Sequence, residues 1–340
     1  MQNQLGGIFK MLLSIIVPLY NTGKFVFQTL HSIQNQTFTD FECIIVDDGS
    51  TDQSVQVAQT FTQHDARFKL FLNPHQGLAA TLNTALHHVH GNYITFCDSD
   101  DYLEADAYQN LQPLIQKNPD LIMSNLYFEK NNHSIQNSNY KFHDLQGAAE
   151  IIRSFPLIYR QQLMYYNTNK IYRRNLIDKL SFNDLTVGLD TIFNYQIFAQ
   201  CKTILFNRDP YYHYLQRKGS LVNHFDPQRL AIREKETHAL INLLHQWHAD
   251  YAEQLLNEEW FNTLINVVTN VYAPLPNGKT LTQSARLNRI KATLTYCLPQ
   301  INFDCLNSSQ ASLIHQIQQC VRENNDTILF QQYSMSTTTG

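Results

Sequence analysis

The first hundred residues alternate nearly continuous apolar runs with segments whose apolar side chains recur at helical spacing. The apolar runs predict strands of a buried parallel sheet at 12–17, 41–46, 68–72 and 93–97. Apolar positions three and four residues apart predict the intervening helices, one through Val26, Leu30 and Ile33 and another from Leu78 to Val89. Ser50 or Thr51 is expected to cap the helix between them. This alternation is typical of a parallel sheet with helices on both faces.

The pattern changes along the rest of the chain. Residues 104–130 predict one further helix and strand, and the Asn-rich stretch 131–140 predicts a surface loop. Residues 141–222 are mixed. After Pro227 the chain predicts helices, with apolar stripes at Leu240, Leu243, Leu244 and Trp247 and at Trp260, Leu264 and Val267.

Composition narrows the class of protein. The 340 residues carry a formal net charge of −4, which does not fit a general nucleic-acid binder. No apolar stretch approaches the ~20 residues of a membrane span, and the first ten residues lack the pattern of a signal peptide. The six cysteines contain no C-x-x-C pair, which argues against a zinc ribbon or redox motif. We therefore expect a cytoplasmic protein, with peripheral membrane contact left open.

Carboxylates cluster where the predicted strands end. Asp47 and Asp48 follow the second strand, and Asp98, Asp100 and Asp101 follow the fourth. Parallel sheets bind ligands beyond the carboxyl ends of their strands. Crowded carboxylates repel one another unless a cation is present, and an oxygen-only cluster suits Mg²⁺ or Mn²⁺. The alternative is a pair of solvated acidic turns, one of them leading into a helix.

The loop after the first strand is neither a dinucleotide fingerprint nor a P-loop. It has no G-x-G-x-x-G pattern, and Gly23-Lys24 is not followed by Ser or Thr. A nucleotide bound there would need contacts from side chains and carbonyl groups.

Taken together, these motifs resemble family 2 of the glycosyltransferases. The matching segments over residues 12–104 are P-x-Y-N from Pro18, V-D-D-G-S-T-D from Val46, Gly77-Leu78 and F-x-D-S-D-D from Phe96. A weaker similarity continues to Ser220 in the segments 169–174, 188–190 and 210–220. The resemblance implies an α/β fold of the GT-A (Rossmann-like) type, a mostly parallel sheet flanked by helices, followed here by a helical C-terminal region.

The resemblance also implies roles for the residues at the strand ends. Pro18 and Tyr20 would wall the nucleotide pocket, and Asp48 would bind the base. Asp98 would reach the ribose or the metal shell. Asp100 would ligate the Mn²⁺ or Mg²⁺ that bridges the two phosphates of the donor.

The later segments imply the rest of the site. Asp190 would be the general base, with Asp184 as a rival. Arg217 and Ser220 would close over the diphosphate. His213, just before Arg217, is a candidate third metal ligand or phosphate contact.

The chain departs from the family pattern at two positions. Leu189 stands where the family has the Glu of its E-D pair, which weakens the assignment of Asp190. Leu82 stands where the family often has an Arg that helps to hold the donor. Leu82 also fits the apolar stripe of its helix, so we expect it to pack inward.

The predicted function is an inverting glycosyltransferase. It would move a sugar from a nucleoside diphosphate, expected to be UDP, to a hydroxyl of a glycan or lipid-linked glycan, in the synthesis of bacterial capsule, lipopolysaccharide or teichoic-type polymers. Residues 11–130 would bind the donor and 131–225 the acceptor, with the base. Residues 226–335 would form a helical extension that docks on the membrane, binds the acceptor or dimerises. The alternatives are a nucleotidyltransferase that makes sugar nucleotides and a non-catalytic binding module.

Overall fold

The computed structural model divides the chain into two units, residues 1–216 and residues 217–340. It describes residues 13–130, 133–136, 142–185, 187–216, 224–275 and 277–334. The first unit is an α/β structure and the second is helical. Each unit has a hydrophobic core of its own.

A ten-stranded sheet runs through the described part of the first unit. Its strands are β1 (Leu13–Leu19), β2 (Phe41–Asp47), β3 (Phe68–Leu72), β4 (Tyr93–Phe96), β5 (Tyr102–Leu103), β6 (Leu121–Lys130), β7 (His133–Gln136), β8 (Leu145–Gln146), β9 (Lys170–Arg173) and β10 (Thr203–Leu215). The order is β3-β2-β1-β4-β9-β6-β10-β5, with β7 paired to β6 and β8 paired to β10.

The sheet is parallel where the sequence predicts it. β1 lies between β2 and β4 and is parallel to both, and β2 is parallel to β3. β9 then enters antiparallel between β4 and β6, and β10 returns parallel to β6. Every residue of β1, β2 and β4 is buried, as expected of strands covered on both faces.

The helices of this unit are α1 (Val26–Gln34), α2 (Ser54–His64), α3 (Leu78–Leu86), α4 (Ala107–Ile115), α5 (Ala148–Arg160), α6 (Arg174–Ile177) and α7 (Leu189–Phe198). The predicted inner face of α1, Val26, Leu30 and Ile33, is fully buried in the core of the sheet. Leu82 is buried in α3, which confirms that it packs inward.

Three local predictions were wrong. α2 begins at Ser54 after Gln53, because the Asp52 carboxylate accepts the Ser54 amide at 2.9 Å, so neither Ser50 nor Thr51 is its cap. α3 ends at Leu86, three residues before Val89. The expected loop contains β7, which pairs antiparallel with the long strand β6.

The second unit contains α8 (Arg229–Trp247), α9 (Ala252–Asn270), α10 (Gln283–Cys297), α11 (Ser308–Arg322) and α12 (Thr327–Ser334), with 3-10 turns at Leu298–Gln300 and Phe303–Cys305. The predicted apolar stripe at Trp260, Leu264 and Val267 is buried in α9. Among the described residues, no helix is both long and apolar enough to cross a membrane.

Candidate active site

The carboxyl ends of β1, β2 and β4 meet at one edge of the sheet. β1 is paired in parallel with β2 as far as Leu19 and with β4 as far as Ile16. The residues that follow these strands, Tyr20, Asp48 and Asp98, are therefore neighbours at that edge. This is the edge at which sheets of this kind bind ligands.

The carboxylate of Asp47, the last residue of β2, holds the turn that follows this strand. Asp47 Oδ2 accepts hydrogen bonds from the amides of Gly49, at 3.0 Å, and Ser50, at 2.9 Å. Gly49 has φ of +76°, and a Cβ there would lie 2.9 Å from the backbone nitrogen of His75. The turn therefore requires glycine both for its conformation and for the close approach of the loop before α3.

Asp48 binds that approaching loop. Its carboxylate is 5% exposed and accepts the amides of Gln76, at 2.8 Å, and Gly77, at 2.9 Å. The same Oδ2 that receives the Gly77 amide lies 2.8 Å from Nδ1 of His75. Asp48 thus fixes the start of α3 and the position of the His75 ring.

Tyr20 presents an aromatic face beside this carboxylate. Its side chain is 45% exposed and stacks on His75, with ring centroids 4.4 Å apart and an interplanar angle of 12°. Pro18 precedes it within β1 and is buried. A flat ring and an acceptor carboxylate lie together here, as recognition of a nucleobase requires.

The carboxylates of the acidic run after β4 differ in burial and in their contacts. Asp101 is 2% exposed, and its carboxylate accepts the Tyr212 hydroxyl at 2.6 Å and the Leu215 amide at 2.7 Å. The Tyr212 hydroxyl also accepts the amide of Asp98 at 3.0 Å. Asp101 therefore anchors the run to β10 and sets the direction of the residues before it.

Two carboxylates of the run, Asp98 and Asp100, are only partly buried. Within the ranges that the structure describes, no group of three or more His, Cys, Asp or Glu side chains could by itself hold a metal ion. Mg²⁺ is commonly bound through one or two carboxylates together with substrate phosphates, and Mn²⁺ suits the same oxygen ligands. The pair fits a cation whose remaining ligands come from a bound diphosphate and water.

Asp190 lies in the first turn of α7, just after Gly188, whose φ of +79° begins the helix. Asn167 Nδ2 donates to Asp190 Oδ1 at 2.9 Å. Burial raises the pKa of this carboxyl to about 6, against the opposing effect of the positive charge of Lys170. A carboxyl whose pKa is raised is a stronger proton acceptor than an ordinary aspartate, as a general base requires.

Asp184 is exposed on the segment before α7. Arg217 and Ser220 lie outside the described residues, so their roles stay predictions.

His213 is neither a metal ligand nor a phosphate contact in this arrangement, contrary to the sequence-based hypothesis. Its Nδ1 lies 2.7 Å from Glu129 and its Nε2 lies 2.9 Å from Glu104, so both ring nitrogens already face carboxylates. The ring is stacked between Tyr102 and Tyr127, with centroids at 4.3 and 4.7 Å. His213 therefore ties β10 to β5 and β6.

Sequence reasoning missed three residues of this region. His75 belongs to no motif, and nothing local signals its contact with Tyr20 and Asp48. Asn167 is likewise outside every motif. Lys170 is part of the segment 169–174 that carries the weaker resemblance, but its residue type alone did not suggest a role.

Comparison with known proteins identifies the family. Residues 14–181 match the family model described as glycosyl transferase family 2. This chain belongs to glycosyltransferase family 2. The match begins in β1 and ends beyond β9, so it includes the strand ends described above but not Asp190.

Two curated relatives of this family 2 chain illustrate the similarity. It is 29% identical over 249 residues to "Glycosyltransferase GlyA" of Streptococcus pneumoniae serotype 4, covering 69% of this chain and 34% of that protein. It is 29% identical over 178 residues to "GalNAc(5)-diNAcBac-PP-undecaprenol beta-1,3-glucosyltransferase" of Campylobacter jejuni, covering 52% of this chain and 56% of that protein. The matched segments thus span about a third of the Streptococcus pneumoniae protein and somewhat more than half of the Campylobacter jejuni protein.

A solved structure extends the likeness to the fold of nearly the whole chain. S. aureus TarS 1-349, solved in complex with UDP-GlcNAc, aligns with a TM-score of 0.70 and 20% identity, covering 97% of this chain and 92% of that one. The GT-A fold expected from the sequence, with its mostly parallel sheet and helical C-terminal region, is confirmed.

Proposed function

We propose that this protein is an inverting glycosyltransferase that moves a sugar from a UDP-sugar to a hydroxyl group of a glycan or lipid-linked glycan. The observation that carries the proposal is the meeting of an aromatic face, a buried carboxylate and two partly buried carboxylates at the ends of β1, β2 and β4. A nucleoside diphosphate presents a flat base that can stack on an aromatic ring, N–H and hydroxyl groups that donate to carboxylates, and two phosphates that carboxylates bind through a divalent cation.

Donor binding follows from these side chains, with Pro18 as the wall beneath them. The base stacks on Tyr20, and its N–H donates to Asp48. Asp98 would accept from the ribose or join the metal shell, and Asp100 would hold Mn²⁺ or Mg²⁺. A cation held there would supply Lewis-acid stabilisation of the negative charge on the diphosphate. The likeness to TarS, whose structure contains UDP-GlcNAc, supports UDP as the nucleotide.

The chemical step needs one proton acceptor. Asp190 takes the proton of the acceptor hydroxyl as its oxygen bonds to C1 of the sugar. The bond from C1 to the diphosphate breaks, and the nucleoside diphosphate leaves with the electron pair. Attack from the side opposite the leaving group inverts the configuration at C1.

The acceptor class rests on the relatives. The Campylobacter jejuni protein carries a name that describes transfer to an undecaprenol-linked glycan. We propose synthesis of a bacterial surface polysaccharide for this chain, with the helical second unit as the candidate for dimerisation or peripheral membrane contact.

Calorimetry of UDP binding tests the donor site. We expect Mn²⁺ to strengthen UDP binding to the unchanged protein, and Asp100→Asn to weaken the Mn²⁺-dependent binding by more than about tenfold, since even outer-shell changes weaken metal sites by about 10–100-fold. Asp106→Asn is the matched control, because Asp106 is an exposed carboxylate six residues further along. Equal binding by Asp100→Asn and Asp106→Asn would remove Asp100 from the site.

Product analysis then separates this function from its alternatives. A glycosyltransferase releases UDP from UDP-sugars, whereas a nucleotidyltransferase releases pyrophosphate. We expect Asp190→Asn to bind UDP normally and to lose turnover by about 10²–10⁴-fold, the usual contribution of a general base. Binding of UDP without turnover of any UDP-sugar, across a panel of glycan acceptors, would favour the non-catalytic module.

A further inference from the structure

Asn167 is a buried amide that contacts the first turn of α7. It lies three residues before β9, and its side chain is 2% exposed. Its Nδ2 donates to Oδ1 of Asp190 at 2.9 Å. Its Oδ1 lies 2.9 Å from Nδ2 of Asn194 and 2.9 Å from the Tyr172 hydroxyl. Both polar atoms of this side chain therefore have partners, and one of those partners is the proposed general base.

These contacts allow the amide of Asn167 one orientation. If it were turned over, its nitrogen would face the nitrogen of Asn194, which is also a donor, and its oxygen would face a carboxylate, which accepts when ionised. The nitrogen of Asn194 is itself held by the carbonyl oxygen of Met164, at 2.9 Å, and Asn194 is 0% exposed. The donor that faces Asp190 is thus fixed by buried groups on its far side.

The same contacts attach α7 to the segment before β9 at two successive turns. Asp190 and Asn194 are four residues apart in α7, so they lie on one face of the helix. Asp190 bonds Asn167, and Asn194 bonds both Met164 and Asn167. The carboxylate of Asp190 therefore cannot rotate without losing a hydrogen bond from a side chain that is itself held in place.

The two oxygens of Asp190 differ in their contacts. Oδ1 accepts the Asn167 amide, whereas Oδ2 has no hydrogen-bond partner among the residues that the structure describes. Asp190 as a residue is only partly buried. A general base needs a carboxylate oxygen within hydrogen-bond reach of the hydroxyl whose proton it takes. Oδ2 is the oxygen that keeps its full capacity to accept.

We propose that Asn167 is a positioning residue for the reaction: its buried amide holds Oδ1 of Asp190 and thereby presents Oδ2 to the acceptor hydroxyl. This inference rests on the proposed function, in which Asp190 is the general base. The hydroxyl proton moves to Oδ2 as the hydroxyl oxygen bonds to C1 of the sugar, and the nucleoside diphosphate leaves with the electron pair of the broken bond. Asn167 makes and breaks no covalent bond and acts through Asp190.

The kinetics of Asn167→Ala test this role. We expect UDP binding to be unchanged and kcat to fall about 10–100-fold, since a misplacement of about 1 Å can cost about 10²-fold. The activity of the unchanged enzyme falls as pH drops through about 6, where Asp190 gains its proton. In the variant this midpoint should rise by about 0.5–1 pH unit, because the lost hydrogen bond favoured the ionised carboxylate. The other titratable groups that interact with Asp190 are the same in both proteins, namely Lys170, Tyr166 and Tyr172.

Asn125→Ala is the matched control. Asn125 is a 1% exposed amide in β6 whose Nδ2 donates to the carbonyl oxygen of Arg208 at 2.7 Å. Its loss should lower Tm without changing kcat or the acid midpoint. Equal losses of kcat in the two variants, or a loss in Asn167→Ala with the midpoint unmoved, would mean a merely structural role and overturn the proposal.

Asn167→Asp is a second variant that keeps the shape of the side chain. Its carboxyl can donate to Asp190 as the amide does while it holds a proton, and it repels Asp190 once both are ionised. We expect the variant to be active over a limited pH range, with a loss at alkaline pH that the unchanged enzyme does not show. An alkaline plateau like that of the unchanged enzyme would contradict the role of the Asn167 donor.

A double variant separates this inference from the proposed function. If Asn167 acts through Asp190, Asn167→Ala should cost no further activity in the Asp190→Asn background. A further loss there, with Asp190→Asn itself impaired as expected, overturns the positioning role and leaves the general base in place. Full activity of Asp190→Asn alone removes the general base, and with it the proposed mechanism.

Discussion

At the residue scale, the imidazole of His75 engages both groups that we assign to the nucleobase. It stacks on Tyr20 and bonds Oδ2 of Asp48, and its side chain is 56% exposed. A flat ring with an N–H directed at a carboxylate has the same recognition chemistry as a pyrimidine base. A base that uses the same face of Tyr20 and the same oxygen must displace it.

Removing this ring should therefore strengthen nucleotide binding. We expect His75→Ala to bind UDP about 2–10-fold more tightly, since an aromatic pair contributes about 0.5–1.5 kcal/mol beyond its buried area. Calorimetry with Mn²⁺ measures the change. His88→Ala is the control, because it also removes a stacked imidazole, 3.7 Å from the Phe71 ring, but lies beyond α3. Weaker binding by His75→Ala alone would show instead that the ring contacts the base as a second wall.

At the scale of elements, the loops after β1 and β2 are joined to each other. Ser50 Oγ accepts the amide of Asn21 at 3.0 Å, and Asn21 Oδ1 accepts the amide of Thr51 at 2.9 Å. Asp52 Oδ2 accepts the Gly23 amide at 2.9 Å, while its other oxygen accepts the Ser54 amide at the start of α2. The hydroxyls that local reasoning assigned to a helix cap thus connect two strand ends, which explains why that prediction failed.

Gly49 should be the most sensitive position of this joined pair of loops. We expect Gly49→Ala to lower the free energy of unfolding by about 2–3 kcal/mol, from the strain of a positive φ together with the crowding against His75. Gly147 also has a positive φ, +88°, but a Cβ added there would have nothing within 4 Å. Gly147→Ala should therefore lower the free energy of unfolding by only about 1–2 kcal/mol. Denaturant titration of both variants measures the difference. Equal losses would mean that the close approach at Gly49 is readily relieved.

At the scale of the whole molecule, each unit has an apolar core of its own, and the second unit also contains buried ion pairs. Arg286 donates to both carboxylate oxygens of Asp326, at 2.6 and 3.0 Å, and Asp326 is 1% exposed. This bidentate pair links α10 to the turn before α12.

Breaking that pair should destabilise the second unit. We expect Asp326→Ala to cost about 3–5 kcal/mol, because it leaves a buried guanidinium without its partner. Glu323→Ala, which removes one exposed hydrogen bond to Gln319, should change stability by less than about 0.5 kcal/mol. Differential scanning calorimetry, combined with UDP binding, measures both. Loss of the UDP site together with the second unit in Asp326→Ala would show that the two units do not fold independently.

Much of the fold and part of the site could be predicted from local patterns. The strand at 68–72 and the inner face of α1 were predicted correctly, because the spacing of apolar side chains indicates the type of element. The strand-end positions of Asp48, Asp98 and Asp100 followed from the same pattern. The role of Ser50 was predicted wrongly because its hydroxyl accepts the amide of Asn21, 29 residues away, and β7 was missed because its polar segment shows no apolar alternation, although it pairs with the neighbouring strand β6.

The sequence by itself therefore determined the strand–helix alternation, the family and the set of carboxylates beyond the strands. Only the tertiary structure decided which groups of the protein engage these carboxylates. Asp101 is held by Tyr212, Asp48 by the loop at His75, and Asp190 by Asn167. The physical reason is distance along the chain: these partners lie 23 to 111 residues apart, and the hydrogen bonds and burial that set their chemistry exist only once the sheet has assembled.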